Sequence, residues 1–168
     1  MEIVKIDERM ISELIAKSWG SPRKRAFGMI RSADCPNNVP AIMVNALQPG
    51  TYVAPHRHPS PDGREIWMPH KGVISAVLYD SSGNVTGHGK LSRDLSLKLL
   101  EIPAQTYHSL VVESDDAVLF ELYCGVYNPA PGAYKQYAPW AVPENAPENE
   151  QKNYLEKLTE RLRAVPFF

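Results

Sequence analysis

The chain has 168 residues, a length that suits one domain and buries about 70% of the unfolded surface, so neither a disulfide nor a metal is needed merely to fold. Eighteen Lys and Arg against nineteen Asp and Glu leave a formal net charge of −1, which argues against nucleic acid or an anionic membrane as principal partner. Apolar residues at 43% and charged ones at 22% exclude wholesale disorder, and fifteen prolines, against a usual share of about 5%, favour turns over long helices.

Residues 1–20 are expected to hold a helix. Met1 to Asp7 shows no basic start followed by an apolar core, so no secretory signal is expected and the protein is placed in the cytoplasm. Asp7 can cap the helix, Met10, Ile11, Leu14 and Ile15 form an apolar stripe, and Gly20-Ser21-Pro22 stops it. A basic patch, Arg23-Lys24-Arg25, follows. The longest uncharged run, from Cys35 to Pro55, is broken by Asn, Gln and Pro and cannot span a membrane. Cys35 and Cys124 form no CxxC pair and are expected as reduced thiols.

After Pro36 the texture changes to short β-branched or aromatic runs separated by turn residues. Strands are expected at 41–47, 51–54, 64–68, 72–79, 85–87, 96–102, 107–112 and 117–126, with turns at 60–63, 80–84 and 113–116. Short strands at spacings of about 8–12 residues mark a sandwich or barrel rather than βαβ units. This domain is assigned to 21–147, with a Pro- and aromatic-rich tail lying over the barrel as ordered coil. Residues 148–168 are assigned to a C-terminal helix, in which Leu155, Leu158 and Leu162 share the face that docks on the barrel or on a second copy.

The stretch richest in chemistry reads Gly50-Thr51-Tyr52-Val53-Ala54-Pro55-His56-Arg57-His58. On a strand, side chains two residues apart share a face, so His56 and His58 would project together about 7 Å apart along the chain. Tyr52 and Ala54 would share that face. A turn at 60–63 can return the next strand antiparallel and place Glu65 beside them, and His108 can supply a third imidazole from a later strand. Three His and one Glu converging in a barrel suit a divalent transition metal, with coordination positions left for water or substrate. The set accepts Zn, Fe, Mn, Ni or Co.

Gly50-x5-His56-x-His58, Glu65-x6-Gly72 and Pro103-x4-His108 resemble the two motifs of the cupin superfamily. The resemblance implies a jelly-roll barrel, flanked here by an N-terminal and a C-terminal helix, whose metal ligands are His56, His58, Glu65 and His108. Three features depart from the pattern: six residues separate His58 from Glu65, Gln105 stands where a glycine is usual, and Val112 replaces an asparagine. The phrase Asn45-Ala46-Leu47-Gln48-Pro49-Gly50-Thr51-Tyr52-Val53, together with Ser21–Arg25 and Tyr137-Ala138-Pro139-Trp140-Ala141, resembles the WbuC family of cupin-fold metalloproteins. Genes of that family often sit in bacterial O-antigen or surface-polysaccharide clusters, which implies work on a sugar or nucleotide-sugar.

Around the four ligands, Tyr52, Trp67 and Tyr107 are candidates for a sugar-stacking wall or for plain core. Gln105 is a candidate to orient a ligand, Glu121 and Tyr107 to move a proton, and Arg23 and Arg25 to grip a phosphate or carboxylate. His70 and His88 lie in turn-like contexts and are expected at the surface. The leading expectation is a metal-dependent isomerase or epimerase acting on a small polar molecule such as a sugar derivative. A metal-dependent dioxygenase and a non-catalytic sugar-binding module are the alternatives. A homodimer is one assembly that would cover exposed strand edges.

Overall fold

Asp7 caps the first helix, α1 (Glu8–Trp19), by accepting the backbone N–H of Met10 at 3.0 Å. The structure, a computed structural model, describes residues 5–30, 41–126, 128, 130 and 132–168. Ten strands follow α1: β1 (Arg25–Ile30), β2 (Ala41–Leu47), β3 (His56–Arg57), β4 (Glu65–Lys71), β5 (Ile74–Tyr79), β6 (Val85–Leu91), β7 (Leu100–Ile102), β8 (Tyr107–Val112), β9 (Ala117–Tyr123) and β10 (Gln136–Tyr137). The chain closes on α2 (Glu148–Leu162).

The strands form two antiparallel five-stranded sheets, ordered β1-β2-β9-β4-β7 and β10-β3-β8-β5-β6. Leu47, Trp67, Ile74, Leu91, Ile102, Leu110 and Leu119 make one buried cluster drawn from both sheets. The helices cover the remaining sheet faces. Ile11 and Leu14 of α1 pack on Val44, Ala46 and Val118, while Leu158 and Leu162 of α2 pack with Val77, Tyr79 and Tyr107. This is the cupin jelly roll with two flanking helices that the sequence resemblance implies.

Several local expectations are corrected. Residues 51–55 form no strand, because Pro55 and the Pro49-Gly50 turn leave only His56 and Arg57 to pair. The turn at 60–63 forms, with Gly63 donating to the Ser60 carbonyl, but it does not make a hairpin. It carries the chain from β3 in one sheet to β4 in the other. Strands β1 and β10 arise where the sequence suggested a basic loop and coil. Strand β6 runs on to Leu91 and takes His88 inside, where its Nε2 lies 2.8 Å from the Val165 carbonyl. His70 sits in β4 and stacks on Phe120 with ring centroids 5.0 Å apart. The C-terminal residues cover the outer edge of β6: Phe167 bridges His88 in parallel and Phe168 donates its N–H to the His88 carbonyl at 3.1 Å. Cys124 is a free thiol, and Cys35 lies outside the described residues.

Leu158 is 2% exposed and anchors α2 to its sheet. Leu158→Ala should cost about 2–5 kcal/mol in chemical denaturation, the usual range for emptying such a site. A loss below about 1 kcal/mol would show that α2 is not docked as described.

Candidate metal centre

His56 on β3 stands directly opposite His108 on β8, and the two rings lie 4.4 Å apart between centroids. His58 follows two residues after His56, and Glu65 opens β4 in the facing sheet. All four side chains are buried. One ring nitrogen from each histidine lies within 4.8 Å of the others. Glu65 touches two of the three: its Oε1 is 2.8 Å from Nε2 of His58 and its Oε2 is 3.2 Å from Nε2 of His108. Trp67 Nε1 donates to Oε2 at 3.0 Å and fixes the carboxylate.

The other ring nitrogens decide the chemistry. Nδ1 of His56 lies 2.8 Å from the Ala54 carbonyl, that of His58 2.7 Å from the Tyr134 carbonyl, and that of His108 2.8 Å from the Thr106 carbonyl. A carbonyl can only accept, so each Nδ1 carries a hydrogen and donates it. In a neutral ring that leaves Nε2 with a lone pair. The Nε2 atoms of His58 and His108 have no hydrogen-bond partner although they lie against Glu65, because a lone pair then faces a carboxylate. Something positive must sit between them, either a proton on each ring or a shared cation. Histidines that ligate metals make this same Nδ1–H donation to a carbonyl, which orients the ring.

Charge balance follows the same logic. Burial first, then the positive charge of Lys135 and His108, holds His56 well below the ordinary histidine range, so it is a neutral donor. Burial alone would raise the Glu65 carboxyl, but hydrogen bonds from His108 and His58, which put a proton on each Nε2, and then their charge outweigh burial and hold it well below the carboxylate range. With a shared cation in place of those protons, the site would offer imidazole and carboxylate, a donor set that suits a divalent transition ion.

A cavity of about 230 Å³ opens beside this group, with His56, Glu65, Trp67, Glu121, Arg25 and Lys135 among its lining residues. Glu121 pairs across from Trp67 between β9 and β4 and shares its face. Burial, then the charge of Glu65, pushes the Glu121 carboxyl up to about 8. Two larger clefts, of about 460 and 520 Å³, lie along α2 and contain none of the four candidate ligands.

The other singled-out residues fall elsewhere. Alternation that turns His108 inward turns Tyr107 outward, into the cluster under α2 with Tyr79 and Leu158. Tyr52 also lies toward α2, donating to the Val142 carbonyl and meeting Tyr154 edge-on, because its segment is not a strand and keeps no parity with His56. Gln105 is exposed on the turn before β8 at φ 63°, the left-handed region where a glycine is usual, and its backbone N–H holds the His58 carbonyl at 3.1 Å. Arg25 reaches the cavity wall but binds Glu144 at 3.0 Å, and Arg23 is exposed 3.6 Å from the same carboxylate. Lys135 and the Tyr134 carbonyl were not foreseen; both come from the tail, and only the pairing of β10 with β3 brings them to the site.

No curated protein matches the chain. Among solved structures it is similar to the capsular polysaccharide assembling protein CapF from Staphylococcus aureus, with a TM-score of 0.54 and 14% identity over 80% of this chain and 33% of that one. An oxalate oxidase in complex with the substrate analogue glycolate gives 0.52 and 16%, over 83% and 75%. Protein SO0799 from Shewanella oneidensis gives 0.53 and 11%, over 84% and 87%. The chain thus spans about a third of CapF, and at these identities the likeness shows the fold, a cupin jelly roll. A family model described as a domain of unknown function (DUF6016) matches residues 6–91, just over half of the chain, including α1 and three of the four candidate ligands, and the chain belongs to that family.

Proposed function

We propose that the protein is a metal-dependent cupin enzyme that isomerises or epimerises a small polar substrate, with His56, His58, Glu65 and His108 as ligands and Glu121 as the proton-moving group. The observation that supports this most is the set of Nδ1–H donations, which leaves two unpartnered Nε2 atoms facing Glu65. A divalent ion held there would act as a Lewis acid on a substrate oxygen. Glu121, whose carboxyl titrates at about 8, carries its proton at neutral pH and can give and take one near that value, as a general acid–base group should. Trp67 keeps Glu65 in place, and Met43, Val53 and Leu110 help to exclude water from the cavity.

Size narrows the substrate. Ligand pockets usually measure about 300–1,000 Å³, so a cavity of about 230 Å³ suits a single sugar ring or a smaller acid. A nucleotide-sugar would leave its nucleotide outside. The resemblance to the WbuC family and the likeness to CapF, a capsular polysaccharide assembling protein, support a surface-polysaccharide setting. The glycolate held by the oxalate oxidase supports a small acid on the same fold.

Protein purified without chelator should contain about one transition-metal ion per chain by mass spectrometry, and His108→Ala should lose it. Incubated in D2O with aldoses, ketoses and uronic acids, the loaded protein should place deuterium on a carbon beside a carbonyl. Glu121→Gln should keep the metal and slow that exchange by roughly 10²–10⁴-fold. Oxygen consumption without exchange would replace the isomerase with a dioxygenase. Binding with neither reaction would leave a carrier or sensor.

The pH dependence of stability isolates Glu121. A carboxyl raised from 4.5 to about 8 stabilises the fold at low pH, and that contribution is lost as pH rises through about 8. His56, depressed below 6.5, has the opposite slope, but only below 6.5. Metal-free protein should therefore lose stability from about pH 6.5 to 8.5, and Glu121→Gln should flatten that limb. An unchanged limb in the variant would remove Glu121 from the buried, protonated role.

A further inference from the structure

Two cations line the cavity, and they differ in what they already hold. Arg25 is committed to its own chain: Nη2 lies 3.0 Å from Oε2 of Glu144 and Nη1 donates to the Tyr52 carbonyl. Lys135 is half-buried and makes no ion pair or side-chain hydrogen bond among the described residues. Its position is not casual. The preceding residue, Tyr134, takes the Nδ1–H of His58 on its carbonyl, and the following strand β10 pairs with β3, setting Tyr137 against His56.

The carboxylates of the cavity do not answer this ammonium. Glu65 is occupied by His58, His108 and Trp67. Glu121 lines the same cavity, and no ion pair joins it to Lys135 among the described residues. A lysine that lines the cavity without an ion-pair partner, next to donors that gather a second cation, leaves positive charge there for an anion to meet.

We infer that the cavity takes a small organic anion, its carboxylate or phosphate held by the Lys135 ammonium beside the histidine cluster. This deepens the metal-enzyme reading and rests on it. The rest of the lining suits the body of such a molecule: Met43, Val53 and Leu110 are apolar, and the Phe27 ring on β1, 61% exposed, offers a flat face. A neutral sugar would leave Lys135 unanswered.

Calorimetric titration of the full chain with glycolate, glucuronate, glucose 6-phosphate and glucose tests this, with the metal content of each sample measured alongside. At least one acid should bind about tenfold or more tightly than glucose, and its affinity should fall with ionic strength. Lys135→Met should weaken that acid by roughly ten- to a hundredfold, whereas Lys135→Arg should stay within a few-fold, and both should keep the wild-type metal content. The carboxylates against the phosphate decide which oxyanion is meant. Glucose binding as well as the acids, no acid binding at all, or an unchanged affinity in Lys135→Met would overturn the inference. Metal-free samples separate the two readings. Acid affinity that depends on Lys135 in a protein that takes up no metal would sink the metal reading alone. Full metal content with Lys135-independent binding would sink this one alone.

Discussion

Three backbone carbonyls, those of Ala54, Thr106 and Tyr134, each take the Nδ1–H of a buried histidine, and the chemistry of the site follows from that. Once Nδ1 is committed as a donor, the far side of a neutral ring is a lone pair. Burying such lone pairs against the Glu65 carboxylate is unfavourable unless a cation lies between them. The arrangement is local for two of the rings, since His56 and His108 each reach back two residues to a carbonyl of their own segment. For His58 it is long-range, since Tyr134 lies 76 residues away. The tail that looks like a cover over the barrel is thus part of the site, and the short pairing of β10 with β3 holds it there.

How much of this was legible in the sequence depends on whether a residue's orientation is fixed locally. His56, His58, Glu65 and His108 could be found because their spacing is characteristic, and the structure does bring them together. The route, however, was not the one the sequence suggested. A hairpin through 60–63 would have set Glu65 next to β3 in one sheet, whereas Glu65 approaches from the facing sheet. A turn fixes where the chain reverses, not which sheet receives it. Trp67 sits on a real strand two residues from Glu65 and shares its face, whereas the shared face expected of Tyr52 fails, because its segment is interrupted by Pro55 and never pairs. Tyr107 failed for the converse reason: it is on a strand, but next to His108, so alternation turns it away.

Gln105 shows how a motif position can keep its structural task while losing its usual residue. The backbone there is left-handed at φ 63°, which a glycine adopts without strain, and the N–H still clasps the carbonyl of His58. The requirement is on the backbone, so the residue can be Gln, whose exposed side-chain amide donates to the Pro59 carbonyl at 3.3 Å. Lys135 is the opposite case. No motif marks it, its segment has no periodicity to read, and its place at the cavity follows only from a two-residue strand.

The electrostatics of the cavity tie these pieces together. Glu65 is buried and Glu121 half-buried, and their environments push the two carboxyl groups apart, one well below its ordinary range and the other up to about 8. The difference is the company each keeps, since Glu65 has two imidazoles and an indole N–H while Glu121 has desolvation first and then the charge of Glu65 raising it. In the proposed enzyme Glu65 would serve as the ionised ligand and Glu121 as the protonated acid, a division that two carboxyl groups pushed apart in this way allow. The larger clefts along α2 carry more room but none of the four candidate ligands, so the proposed reaction is placed in the smaller cavity.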